Sequence, residues 1–241
     1  MLTQLRKELH TLADPQHQII SCRFLKTGIG EYGEGDQVLG IKIPMLRELV
    51  KRYPNLTLAE QTQLLTSPIH EYRTLALLFL IQRYRAADSQ DQTLIITHYL
   101  NHLDFVNNWD LVDLSAPTLL GDYLRDRERT ILYQLIQSPS LWTKRVALVA
   151  TLPLIKNQDF QDSLHLMEHL LTIEQPPLIH KAMGWMLREI SQRHPHLTQD
   201  FLKLHPNLPR ITVRYAIEKF PPKERALYLK IRPKKIDFNQ F

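Results

Sequence analysis

Only one cysteine, Cys22, occurs in this chain of 241 residues. No disulfide can close within the molecule, and a metal site built on cysteine ligands is excluded. A chain of this kind suits a reducing compartment, so a cytoplasmic location is expected. Glycine is nearly as scarce outside one stretch. Five of the seven glycines, Gly28, Gly30, Gly33, Gly35 and Gly40, crowd into KTGIGEYGEGDQVLG, and the 201 residues that follow hold only two. Long apolar runs are missing too: nothing approaches the roughly 18 uncharged residues of a membrane span. The first residues, MLTQLRKELH, mix charge with leucine where a signal peptide would carry an apolar core. Neither export nor membrane insertion is expected. Period-two alternation is not sustained anywhere, which removes the signature of half-buried strands.

What remains is a leucine-rich, amphipathic chain, 44% hydrophobic, with ample material for a continuous core. It reads as all-α. Pro44, Pro68, Pro139, Pro177, Pro209 and Pro222 each stand just before or at the start of an apolar periodic segment, where proline is tolerated. Pro117 and Pro153 interrupt such segments and predict a kink or a break. Net charge is +5, unevenly spread: from residue 181 onward 13 Lys and Arg face 5 Asp and Glu. A basic C-terminal quarter suits a polyanionic partner, although a merely solvated basic face has the same composition.

The segments recur. SPIHEYRTLALLFLIQRY from residue 67, SPSLWTKRVALVATLPLIK from 138, QPPLIHKAMGWMLREISQRH from 175 and HPNLPRITVRYAIEKF from 205 each open on a proline-containing turn. Each then sets a basic residue shortly before an alanine: Arg73 and Ala76, Arg145 and Ala147, Lys181 and Ala182, Arg214 and Ala216. With Ala116 included, the alanines are separated by 40, 31, 35 and 34 residues. That is the period of a helix-pair solenoid, in which small residues let neighbouring helices approach and corresponding helices line a concave face. The expectation is an α-solenoid of irregular, HEAT-like repeats forming a single domain over residues 1–241.

In NNWDLVDLSAP, residues 107–117, Trp109 and Asp113 are four apart and share one helix face. Asp110 lies about 100° round the helix from Trp109 and is expected to point elsewhere. An indole stacks on a base or cation, and a carboxylate beside it stabilises positive charge that develops nearby. A core tryptophan beside a solvated aspartate gives the same spacing. The other tryptophans also have charged neighbours, Trp142 with Arg145 and Trp185 with Arg188, each three residues on. On equivalent helices of a solenoid, Trp109, Asp113, Arg145, Trp185 and Arg188 would converge on one basic, aromatic cleft holding a single carboxylate. Such a cleft suits an enzyme that acts on a nucleobase.

NNWDLVDLSAP, SLWTKRVALVAT, KAMGWMLREI and LPRITVRYAIEKF resemble signature segments of the DNA alkylation repair family, the HEAT-like-repeat alkylpurine DNA glycosylases. KTGIGEYGEGDQVLGIKIP is similar to an N-terminal feature of many members, so the resemblance runs in order along essentially the whole chain. It implies an α-solenoid that excises cationic N3- or N7-alkylated purines from duplex DNA as a monofunctional glycosylase in base excision repair. The family's catalytic carboxylate matches Asp113, its base-cleft tryptophans match Trp109 and Trp185, and its DNA-binding arginines match Arg145 and Arg188. Where members often carry two consecutive arginines, this chain has Lys144 and Arg145, which retains charge and loses one bidentate fork. The implied partner is double-stranded DNA bearing alkylated purines, bound by a monomer with no metal and no cofactor.

Other motifs fall short. Gly28, Gly30 and Gly33 satisfy GxGxxG, but no strand precedes them, and Glu31, Glu34 and Asp36 would repel a pyrophosphate. This stretch is expected to be a flexible or tightly turned loop, with contact to DNA as a secondary reading. His70 and Glu71 lack the second histidine of HExxH, the eleven histidines otherwise show no metal spacing, and several of them are expected to cap helices or face solvent. A Schiff-base role for Lys181 is unnecessary when the leaving group is already cationic. The alternative to an enzyme is a non-catalytic HEAT-like module that binds bent or branched DNA, or a protein partner. Asp113 discriminates, since a pure DNA binder gains nothing from a carboxylate that repels phosphate.

Overall fold

The prolines and polar caps set the helix boundaries in a computed structural model that describes residues 1–173 and 175–230. Basic residues of the C-terminal surplus at 232, 234 and 235 lie outside the described residues. The first helices are α1 (Leu2–Thr11), α2 (Pro15–Leu25), α3 (Ile43–Arg52), α4 (Leu58–Leu65), α5 (His70–Ala86), α6 (Ser89–Asn101) and α7 (Trp109–Ala116). They are followed by α8 (Thr130–Leu135), α9 (Leu141–Val149), α10 (Leu152–Lys156), α11 (Gln161–Leu170), α12 (Pro177–Ser191), α13 (Pro195–Leu204), α14 (Arg210–Ala216) and α15 (Pro222–Lys230). Among the described residues there is no strand, only an isolated bridge between Gln37 and Ile69. The chain is all-α, as its periodicity predicts. No helix among the described residues is long and apolar enough to cross a membrane.

Local chemistry explains the starts. Asp14 caps α2 by accepting from the Gln16 and His17 amides, Thr57 and Glu60 form a reciprocal capping box on α4, and Asp88 caps α6. The six segment-opening prolines fall within two residues of a helix start. Pro153 sits at the second position of α10, just after the break that ends α9. Pro117 gives a subtler result. The chain stays helical but widens into a π-helical turn, Pro117–Gly121, which accommodates the missing amide without ending the helix.

The helices gather into two compact units, Met1–Tyr123 and the chain from Leu124 onward. In the first, α5 is the central helix, packed by α3, α4, α6 and α7. It is buried on all sides from His70 to Ile81, so its sequence LALLFLI shows no polar stripe. In the second, α12 takes that place, packed by α9, α10, α13 and α14. The repeated alanines, Ala76, Ala116, Ala147, Ala182 and Ala216, are all fully buried. Gly184 carries the close approach furthest: a Cβ there would meet the Thr212 carbonyl oxygen at 2.6 Å and Tyr215 Cβ at 2.5 Å. Helix α14 lies on α12 only because that side chain is absent.

Candidate functional site

A cavity of about 600 Å³ opens within the first unit, lined mainly by apolar side chains of α2, α3 and the loop ahead of α3. Trp109 and Asp113 both line it. The helix that carries them starts at Asn108, a fully buried residue whose Oδ1 accepts from the Trp109 amide and whose Nδ2 donates to the Leu25 carbonyl at 3.0 Å. This side chain therefore fixes the first turn of α7 against the end of α2. The half-buried Trp109 ring is oriented by its own Nε1–H, which donates to the Phe24 carbonyl at 3.3 Å. Asp113, one turn further on, is half-buried.

Asp110 departs from the sequence expectation. It borders the same cavity, because the first turn of α7 faces α5 as well as α2, and its Oδ2 is 2.8 Å from His70 Nε2. The other ring nitrogen, Nδ1, lies 3.1 Å from Asp36 Oδ2, and Arg73 Nη2 donates to the same oxygen at 2.6 Å. His70 is buried. Burial disfavours its charged form, but hydrogen bonds to Asp110 and then Asp36 outweigh that effect and raise its pKa to about 9. Burial acts upward on Asp36, and the opposing hydrogen bond from His70 and the charge of Arg73 hold its carboxyl below the usual range.

Glu71, also buried, accepts from the backbone amides of Leu39, Gly40 and Ile41 at 2.9, 2.7 and 3.2 Å. These bonds close the glycine-rich stretch onto α5. Gly40 has φ +81°, and a Cβ there would strike the Asp14 carbonyl at 2.2 Å, which accounts for glycine at this position. Further ties run from Gln37 N–H to the Pro68 carbonyl and from His70 N–H to the Gln37 carbonyl, at 3.0 and 2.8 Å. Of the two loop forms expected, the tightly turned one is observed, with Ile29 at its tip 96% exposed. Sequence reasoning missed this buried network. The available signal was α5 itself, since a helix apolar on every side buries its first turn, and His70, Glu71 and Arg73 must then find partners.

The remaining predicted residues belong to the second unit. Arg145, on α9, is 5% exposed and donates through Nη1 to the Leu178 carbonyl of α12 at 2.7 Å. Lys144 beside it is half-buried. Trp185 and Arg188 lie on α12, both half-buried. Trp185 Nε1–H donates to Glu189 Oε1 at 3.3 Å, and Arg188 pairs with Glu218, whose carboxyl is held below its usual range chiefly by that bond. Lys181 is half-buried on the same helix.

The family model for the DNA alkylation repair enzyme matches residues 5–220. The chain belongs to that family. The DNA alkylation repair fold is also found in a solved structure from Enterococcus faecalis, described as a predicted DNA alkylation repair enzyme. That structure has 18% sequence identity and a TM-score of 0.67, over 87% of this chain and 97% of that one. No curated protein matches the chain significantly. Membership in the DNA alkylation repair family supports an enzymatic role in repairing alkylated DNA.

Proposed function

We propose that this protein is a monofunctional DNA glycosylase that hydrolyses the N-glycosidic bond of cationic N3- or N7-alkylated purines in duplex DNA. The observation that carries the reading is the placement of Trp109 and Asp113 on one cavity of about 600 Å³ whose walls are otherwise largely apolar. Family membership over residues 5–220 supports it. Alkylation at N3 or N7 makes the purine a cation and a good leaving group, so no general acid is required. Positive charge then builds on the sugar as an oxocarbenium-like centre. The Asp113 carboxylate stabilises that charge and orients the attacking water, while Trp109 beside it stacks on the sugar or the cationic base. Lys144 and Arg188 bind backbone phosphates, which positions the duplex without reading its sequence; Arg145, 5% exposed and donating to the Leu178 carbonyl, instead holds α9 to α12. The protein acts as a monomer in the cytoplasm, with the whole chain as one domain.

The test is release of free base from duplex DNA carrying N7-methylguanine or N3-methyladenine under single turnover, comparing wild type with Asp113→Asn. Loss of one preorganised electrostatic partner lowers the rate by about 10²- to 10³-fold. Release by the wild type with a loss of that size in the variant is the expected result. Binding of the duplex with no release above the spontaneous rate replaces this reading with that of a non-catalytic DNA-binding module.

A further inference from the structure

His70 opens α5 at the wall of the cavity, and each of its ring nitrogens faces a carboxylate, Asp36 at 3.1 Å and Asp110 at 2.8 Å. A neutral imidazole has one N–H, so it would satisfy one contact and set a lone pair against the other carboxylate. The imidazolium donates to both. With Arg73, which shares Asp36, it places two cations against two carboxylates, of which Asp36 is enclosed and Asp110 is about a quarter exposed. Glu71 on the same turn is engaged by loop amides, and His17 of α2, Lys42 just ahead of α3, Arg47 of α3 and Asp113 of α7 are the other charged or titratable groups around this cavity.

Asp36 belongs to the glycine-rich loop, and Asp110 is the second residue of α7, between Trp109 and Asp113. The Oδ1 atom of Asp110 is buried without a hydrogen-bond partner, so the hold on this carboxylate falls on Oδ2 and His70. We propose that His70 is a positioning residue for the candidate site: gripping Asp36 and Asp110 at once, it ties the loop and α5 to the first turn of α7 and so fixes the Trp109–Asp113 pair. Its effect on rate rests on the glycosylase reading; the grip itself does not.

Two measurements test this independently. In single-turnover base release at saturating protein near neutral pH, His70→Asn slows the rate constant about 10- to 100-fold, the scale of a small misplacement of reacting groups. DNA affinity stays within about threefold, because the Lys and Arg assigned to phosphate contacts are untouched. His70→Arg keeps a permanent cation and restores rate, and the ratio of wild-type to His70→Arg rates falls as pH rises through about 9. An unchanged rate in His70→Asn, or a ratio that does not change with pH, overturns the proposal.

The second measurement needs neither variant nor activity. NMR of the wild type follows the His70 ring and the Trp109 indole N–H, which donates to Phe24. Both signals move with one midpoint near pH 9. A His70 ring that titrates near its ordinary value of about 6.5, or titrates without moving the Trp109 signal, overturns the proposal. If the wild type releases no base, the glycosylase reading fails and the NMR titration alone decides the role of His70.

Discussion

The two units bury charge in different ways. In the first, Asp36, His70, Glu71 and Arg73 are largely enclosed behind a cavity that His70 and Glu71 line, and every one of them has a charged or backbone partner. In the second, the ion pairs of Arg129 with Asp159 and Asp162 and of Arg188 with Glu218 keep solvent on at least one partner, the buried Arg145 donates to a backbone carbonyl, and α14 sets Thr212 and Tyr215 against Gly184 of α12. An enclosed network is costly to assemble, and breaking one member leaves the others without compensation. Half-exposed pairs contribute little individually. The first unit is therefore the one whose geometry depends on the protonation of an enclosed histidine, and it is also the one that holds Trp109 and Asp113.

The difference is broken most severely at Glu71. Glu71→Ala orphans the amides of Leu39, Gly40 and Ile41, and with each buried donor costing about 1–3 kcal/mol the variant is expected to lose at least about 3 kcal/mol in urea unfolding. A loss below about 1 kcal/mol would show that water replaces the carboxylate freely.

Titration is the next largest effect. Because the folded pKa of His70 is raised to about 9, its contribution to stability is complete below the unfolded value of about 6.5, falls as pH rises, and is gone above about 9. The shift corresponds to about 3 kcal/mol, seen as a drop in stability between about pH 6 and pH 9.5 that His70→Asn abolishes. Asp36 acts with the opposite sign, its contribution being lost as pH falls through its lowered folded value. In the second unit, Gly184→Ala overpacks the α12–α14 contact and is expected to cost about 1–3 kcal/mol in urea unfolding at any pH, since no titrating group is involved. Lys203→Ala removes an exposed pair with Asp200 and is expected to change stability by less than about 0.5 kcal/mol.

Much of this architecture was legible in residue order. Alanine spacing located buried positions, prolines located helix starts, and the four-residue spacing of Trp109 and Asp113 placed them on one cavity because helix periodicity is a local property. The His70 network was not legible. Its partners are 34 and 40 residues away, brought together by the fold, and the donors to Glu71 are backbone amides with no side-chain signature. Arg145 shows the same limit. It was expected to line a cleft and bind DNA, yet the packing of α9 on α12 encloses it against Leu178.

The roles of Asp113 and Arg188 are tested most directly by a paired measurement of Asp113→Asn and Arg188→Gln, with base release under single turnover and DNA affinity determined for each. The predicted result is a separation. Asp113→Asn loses about 10²- to 10³-fold in rate with affinity retained. Arg188→Gln weakens binding, lowers the salt slope by about one phosphate contact and keeps the rate at saturation. Equal loss of rate and affinity in both variants, or full activity in Asp113→Asn, would contradict it.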